Sequence, residues 1–259
     1  MVSNQVIVFD IWSNYAYFRK PYTTTTALTY SFIPRSTIEG LVCAILGIDR
    51  YDIYNELIDS KIGLRILSEV KKIPFSTIHT HSDFWSIMGK YVMNKIINIK
   101  KDFRTRINLE LLINPKYRIY FSDKKYNSEL ETKLKNHQTV YTPYLGTSTM
   151  LANFEYINTF DLYTHNKNNE KFIEISSIVP YINKIPTIMI EKDRIYAIEQ
   201  NIPAKINKDR DLISSYSAIY NPNSGKIKVK DIEYQSINYT NIVKEDSVEN
   251  FVFIPSQVS

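Results

Sequence analysis

Apolar and polar positions alternate from the start of the chain. Across Val6–Trp12, Ile7, Phe9 and Ile11 fall on one face and Asp10 and Trp12 on the other. Its β-branched and aromatic residues favour an extended backbone, so a strand with one buried side is predicted. Residues 13–22, Ser-Asn-Tyr-Ala-Tyr-Phe-Arg-Lys-Pro-Tyr, keep neither strand nor helix period. They read as a surface loop that mixes flat rings with Arg19 and Lys20. The period then turns helical: Ile38, Leu41, Val42, Ile45 and Leu46 share a face, Ser36 and Glu39 have capping-box spacing, and Gly47 sits where a left-handed terminator belongs. A helix from about Ser36 to about Leu46 follows. Its start carries Arg35 beside the ring-rich loop, and free amides at the positive end of a helix dipole favour an anion such as phosphate. The same residues equally suit a simple cap with a solvated arginine.

Tyr51–Ile58 supports a short helical piece, and Lys61–Val70 alternates Ile62, Leu64 and Ile66 against Arg65 and Glu69 as a second strand. In Arg104–Ile113 the odd positions from Thr105 to Ile113 share one face while Arg104 and Arg106 project from the other. Asn114-Pro115 turns the chain, and Lys116–Phe121 returns as a hairpin partner. Residues 71–103 are too many for an ordinary connection, and they interleave Phe84, Trp85 and Tyr91 with Lys90, Lys95, Lys100 and Lys101. An inserted arm or thumb is one reading; a core-packing helix over Ile87–Ile99 with solvated lysines is the other. Leu130 and Leu134, with Glu129-Lys133 and Glu131-Lys135 pairs, predict a second amphipathic helix. Tyr144–Ala152 forms a Gly-containing turn, and Asn153–Phe160 a further strand.

The order β-α-β-β-α-β is that of a ferredoxin-like, RRM-like domain, one option among several on order alone. The polar run 164–170 marks a boundary. Beyond it come short strand-like pieces, Ile173–Val179, Thr187–Ile190, Arg194–Ile202 and Lys226–Val229, punctuated by prolines and the turn 221–225. The expected organisation is α+β: a domain over 1–163 with an insertion at about 71–103, then a smaller, mostly β domain over 171–259.

A hydrophobic content of 44% over 259 residues supports a packed core, and a net charge of +5 suits an anionic partner without identifying one. The unusual feature is 20 Tyr beside 12 Phe and 2 Trp, because rings stack on bases as readily as they fill cores. Cys43 is the lone cysteine and lies in the apolar helix, which excludes intrachain disulfides and cysteine zinc sites. His79-Thr-His81-Ser-Asp83 alternates polar side chains on one strand face but lacks a fourth ligand, so neither metal nor cofactor is expected. No G-x-S-x-G, Walker loop, dinucleotide fingerprint or His-Glu-x-x-His occurs. With no leader and no bilayer-length apolar run, a cytoplasmic protein without membrane contact is expected.

Phe9-Asp-Ile-Trp12, Tyr15-Ala-Tyr-Phe-Arg-Lys20, the run Tyr22–Phe32, Pro34-Arg-Ser-Thr-Ile-Glu-Gly40 and Ala44-Ile-Leu-Gly47 together resemble the Cas-five family. These are RAMP-superfamily subunits of type I CRISPR effector complexes, and the resemblance is nearest to subtype I-B. Tyr144-Leu-Gly-Thr-Ser-Thr-Met-Leu-Ala152 resembles the family's second motif, although many members carry an acidic residue about where Thr149 stands. The resemblance covers roughly the first 160 residues. It implies the ferredoxin-like RAMP scaffold and a subunit of Cascade, the type I complex, in antiviral defence. Such a subunit grips the repeat-derived 5′ handle of the CRISPR RNA (crRNA) and caps that end of the ribonucleoprotein. The implied partners are the backbone subunit, the large subunit and target DNA near the PAM end. The projecting arm, with Phe84, Trp85, Lys90, Tyr91 and Lys95, suits contact with the backbone subunit.

Single-stranded RNA asks for cations at phosphates and flat groups at splayed bases. The candidate phosphate and ribose contacts are Arg19, Lys20, Arg35, Ser36, Arg104 and Arg106; the candidate stackers are Tyr15 and Tyr22; Gly146, Thr147 and Ser148 offer backbone and hydroxyl donors. Two alternatives stand beside this non-catalytic reading. One is a metal-independent endoribonuclease that cuts precursor crRNA with Tyr, Lys and His groups, as in the family's I-C branch. None of the four histidines here lies in the matched motifs. The other is a purely structural assembly subunit whose basic face meets protein acids.

Overall fold

The computed structural model describes residues 5–256 apart from 25, 50–51, 53–55, 58, 81–103, 168–170, 193, 208, 210 and 240–247. Through residue 161 it contains β1 (Gln5–Trp12), β2 (Tyr15–Ala16), β3 (Thr26–Ala27), α1 (Arg35–Leu46), β4 (Lys61–Ile66), β5 (Lys72–Thr80), β6 (Arg104–Ile113), β7 (Lys116–Ser122), α2 (Asn127–Lys135) and β8 (Asn153–Asp161). The remainder is β throughout the described residues: β9 (Tyr163–His165), β10 (Ile173–Ile175), β11 (Val179–Tyr181), β12 (Thr187–Ile188), β13 (Ala197–Ile206), β14 (Leu212–Tyr220), β15 (Ile227–Lys230), β16 (Tyr234–Asn238), β17 (Val248–Phe251) and β18 (Phe253–Ile254). Among the described residues the fold is therefore mostly β, with two helices.

The principal sheet has the order β18-β4-β7-β1-β8, antiparallel at every pairing. Ile7, Phe9 and Ile11 of β1 join one apolar cluster with Ile38, Val42 and Ile45 of α1 and Leu130 and Leu134 of α2. Each such side chain, fully buried, contributes about 1.5–3 kcal/mol through removal from water. The sequence predicts one buried side for β1, but both sides are buried. Val6 and Val8 point into a second cluster with Tyr120, Ile237, Tyr239 and Phe251, where β16 and β17 cover the opposite face. Asp10 is tolerated there because Arg118 forks onto its carboxylate at 2.7 and 3.1 Å, and Glu249 beside it is met by Arg65 and the hydroxyls of Tyr120 and Tyr239. Buried carboxylates need such partners to remain charged.

Gly47 closes α1 at φ 85°, its N–H reaching the Cys43 carbonyl at 2.7 Å. The helix start differs from expectation. Pro34 is the N-cap, no side chain caps, and Glu39 pairs with Arg35 instead of closing a capping box with Ser36. The strand Arg104–Ile113 also takes another place. Its β6 lies outside the principal sheet, in a second sheet ordered β2-β6-β3 with β5 along β6, and β7 occupies the position between β4 and β1. The insertion expected at 71–103 begins as β5, which pairs with β6 over Lys72–Thr80 within that sheet. Phe84, Trp85, Lys90, Tyr91 and Lys95 lie outside the described residues, as do most of 51–58 and both His81 and Asp83.

The strands beyond residue 171 pack among themselves through Ile175, Val179, Ile219, Ile227 and Val229. They also reach the first half. Ile202, Ala204, Tyr216 and Ala218 of β13 and β14 enter the cluster that holds α1, and β18 adds the outer strand of the principal sheet beside β4. Among the described residues no helix is long and apolar enough to cross a membrane.

Candidate nucleic-acid interface

After β1 the chain is caught at once by distant segments. The Ser13 hydroxyl donates to the Leu151 carbonyl at 2.7 Å, β2 pairs with Leu112 and Ile113 of β6, and the Tyr17 amide donates to the Leu145 carbonyl at 3.2 Å. From Phe18 to Tyr30 the backbone goes out and back. Tyr30 N–H meets the Phe18 carbonyl and Lys20 N–H the Leu28 carbonyl, both at 2.9 Å, with Arg19 opposite Thr29. Strand alternation sorts the side chains: Ala16, Phe18, Tyr30 and Phe32 go into the main cluster, and Tyr17 packs with Ala27 and Leu111. Arg19 is exposed, as are Tyr15 (46%) and Tyr22 (56%). Burial raises the Tyr17 hydroxyl above its ordinary range, and the Arg19 guanidinium nearby opposes that.

The second motif folds against this excursion. Leu145 is buried, and Gly146 follows at φ 96°. A Cβ at Gly146 would lie 1.8 Å from the Tyr17 carbonyl oxygen, so only glycine lets the turn approach this closely. The turn is closed by Met150 N–H on the Thr147 carbonyl at 2.9 Å and by a hydroxyl contact of 3.1 Å between Thr147 and Thr149. Ser148 and the rings of Tyr141 and Tyr144 are exposed around it. Thus the backbone at Tyr17, which lies between Tyr15 and Arg19, meets the turn that carries Gly146, Thr147 and Ser148. Tyr141 and Tyr144, absent from the predicted set, belong to the same turn region; their signal was two rings flanking Pro143 just before the glycine.

Other predicted contacts sit elsewhere. Arg35 is 1% exposed: Nη1 donates to the Ile254 carbonyl at 2.8 Å, Nη2 to the Ser60 carbonyl at 2.7 Å, and Nε to Glu39 at 2.9 Å. These bonds join α1 to β18 and to Ser60, and burial closes the guanidinium to a phosphate, which corrects the expected contact. Ser36 next to it is partly buried and makes no cap. Lys20 is engaged by Glu199 of β13, and its ammonium lies 5.3 Å from the Tyr30 ring centroid. Burial works against that charge, but the carboxylate prevails and the Lys20 pKa is raised. Arg106 stands exposed on the arm, donating to the Ser76 hydroxyl at 3.0 Å; Arg104 is paired through its backbone with Thr80. The base of the arm is tied to the loop, since Glu110 accepts from Thr29 N–H at 3.2 Å and Lys72 donates to the Thr29 carbonyl at 3.0 Å.

His137 stacks on Phe154 at 4.4 Å, and His165 stacks on Tyr234 at 4.6 Å while its Nε2 lies 2.8 Å from the Ser236 hydroxyl. Burial pushes the Cys43 thiol up to about 12, so it is a packing group and no nucleophile.

In overall fold the chain is similar to a CRISPR protein from Archaeoglobus fulgidus, with a TM-score of 0.53 at 12% identity over 95% of this chain and 98% of that one. A chain of a CRISPR RNA-guided surveillance complex aligns with a TM-score of 0.49 at 11% identity, over 87% of this chain and 91% of that one. No curated protein sequence matches. The family model described as CRISPR-associated protein (Cas_Cas5) matches residues 6–159, a span that includes both the ring-rich loop and the Gly146 turn. The chain belongs to that family.

Proposed function

We propose that this protein is a non-catalytic, crRNA-binding subunit of a type I CRISPR effector complex, nearest to subtype I-B, which holds the 5′ handle of the guide and caps that end. The observation that carries this reading is the meeting of the Tyr15–Tyr22 loop with the Gly146 turn inside the family-matched span. Together they offer rings, an exposed cation and hydroxyls around one close backbone contact. Each base stacked on a ring is worth about 1–3 kcal/mol, so Tyr15 and Tyr22 with Arg19 suffice for firm holding of a short single strand. Arg106 and the β5–β6 arm extend the surface toward the backbone subunit, with the large subunit and target DNA near the PAM end as further partners. We read β1-α1-β4-β7-α2-β8 as ferredoxin-like on the strength of the order β4-β7-β1-β8, with 171–259 as a β-rich addition. The setting is cytoplasmic antiviral defence.

The test is to purify the chain with its bound RNA and sequence that RNA: short species sharing one 5′ end are expected. In filter binding, Arg19→Ala lowers affinity for handle RNA about tenfold and reduces the slope of log K against log salt by about 0.7, the single-strand value for one phosphate contact. Unchanged affinity rejects the assignment. Incubation with precursor repeat RNA in chelator leaves the RNA intact; discrete products would make the protein a nuclease.

A further inference from the structure

The proposed RNA-holding loop belongs to the N-terminal half, yet two of its polar anchors come from β13. The register of β13 against β14 slips between Glu199 and Ile202, and Asn201 stands at φ 55° within that slip. A bulge of this kind re-aims the groups around it. Here it turns two acceptors onto one neighbour. The Glu199 carboxylate takes the Lys20 ammonium on Oε1, and the Ser31 amide and hydroxyl on Oε2 at 3.0 and 2.6 Å. The Asn201 carbonyl takes the Tyr30 hydroxyl at 2.6 Å. Lys20 lies on the outgoing leg of the loop, Tyr30 and Ser31 on the returning leg. One carboxylate from the other half of the chain therefore pins both legs.

We propose that Glu199 is a positioning residue for this loop, holding its two legs so that Arg19 and Tyr22 are presented to RNA, with Lys20 its structural counter-charge and not a phosphate contact. This rests on the RNA-holding reading given above. Three considerations support it. Glu199 is 6% exposed, and a carboxylate so buried is costly without a cation. If Lys20 left for a phosphate, only Ser31 among the described residues would remain to satisfy it. A loop fixed beforehand also binds without the entropy cost of ordering on contact, which is the general advantage of preorganisation.

The first measurement needs no RNA. In Glu199→Ala, amide hydrogen exchange at Lys20, Tyr30 and Ser31 accelerates tenfold or more over wild type, while β1 amides keep their protection. Handle-RNA binding follows. Glu199→Ala and Lys20→Ala each weaken it about tenfold, the double variant is no weaker than either, and none of the three changes the salt slope. Glu199→Gln, which keeps an acceptor for Ser31, recovers part of the affinity. Additive losses in the double variant, or a slope reduced by about 0.7 in Lys20→Ala, place Lys20 on a phosphate and overturn the proposal. Unchanged exchange in Glu199→Ala overturns it whatever the RNA does. Accelerated exchange in a protein that binds no handle RNA removes the RNA reading, and the positioning role with it, leaving Glu199 as a structural tie only.

Discussion

Arg19 and Arg35 stand in the same N-terminal stretch, each beside aromatic residues, and the sequence offers both to a phosphate. The structure separates them completely. Arg19 projects from a two-legged excursion whose neighbours alternate inward and outward, so its guanidinium stays in water. Arg35 sits at the start of a helix roofed by β13, β14 and β18, where two backbone carbonyls and Glu39 claim its donors. The difference teaches that an arginine's role is set by what else needs donors nearby. Carbonyls left unpaired at a buried junction capture it, and only an arginine with no such claim is free for a ligand.

The contrast can be broken most forcefully at Arg35. Arg35→Ala strands Glu39 and two carbonyls, and is expected to lower unfolding free energy by about 3–5 kcal/mol in urea titration. Arg19→Ala should stay within about 0.5 kcal/mol of wild type. Equal stabilities would mean that α1 starts at the surface after all.

Gly146→Ala sharpens the other side. Its Cβ would collide with the Tyr17 carbonyl and its φ is left-handed, a strain of about 1–3 kcal/mol that pushes the turn off the loop. RNA affinity should fall more than tenfold while far-ultraviolet circular dichroism is unchanged. Retained affinity would detach the turn from the site.

A smaller effect follows from Glu39. Burial outweighs its pairing with Arg35 and pushes its pKa up to about 7 from the ordinary 4.5. A carboxyl whose folded-state pKa is raised stabilises fully below the unfolded value and loses that contribution as pH climbs through the folded one. Glu39→Gln should therefore gain on wild type between pH 4.5 and 7.5, by on the order of 1–2 kcal/mol. A difference that does not vary with pH would show the pair to be solvated.

Elements with strong periodicity are legible in the sequence. The strand of Val6–Trp12, the helix ending at Gly47 and the helix around Leu130 all stand within a residue or two of expectation, whereas the strands on either side of Asn114-Pro115 do not form the expected hairpin, because β6 pairs with β5 and β7 with β1 and β4. β5 falls at the start of the long insertion, and Pro74 interrupts its strand pattern. It is accommodated because β5 pairs on one side only, with β6, and an edge strand can dispense with one donor. At the candidate site the exposed members announced themselves by composition, whereas Arg35 and Lys20 did not. Their partners, Ile254 and Glu199, lie so far along the chain that no local pattern records the pairing. The burial of both faces of β1 was hidden for the same reason, since alternation tells which residues share a face but not what arrives to cover it.

The placement of Phe253–Ile254 at the margin of the sheet that begins with Gln5 has a consequence for biogenesis. A growing polypeptide on the ribosome cannot finish that sheet, nor satisfy Arg35, until Phe253 and Ile254 have left the exit tunnel. The nascent chain must wait with an open flank, a situation in which chaperone capture competes with self-completion.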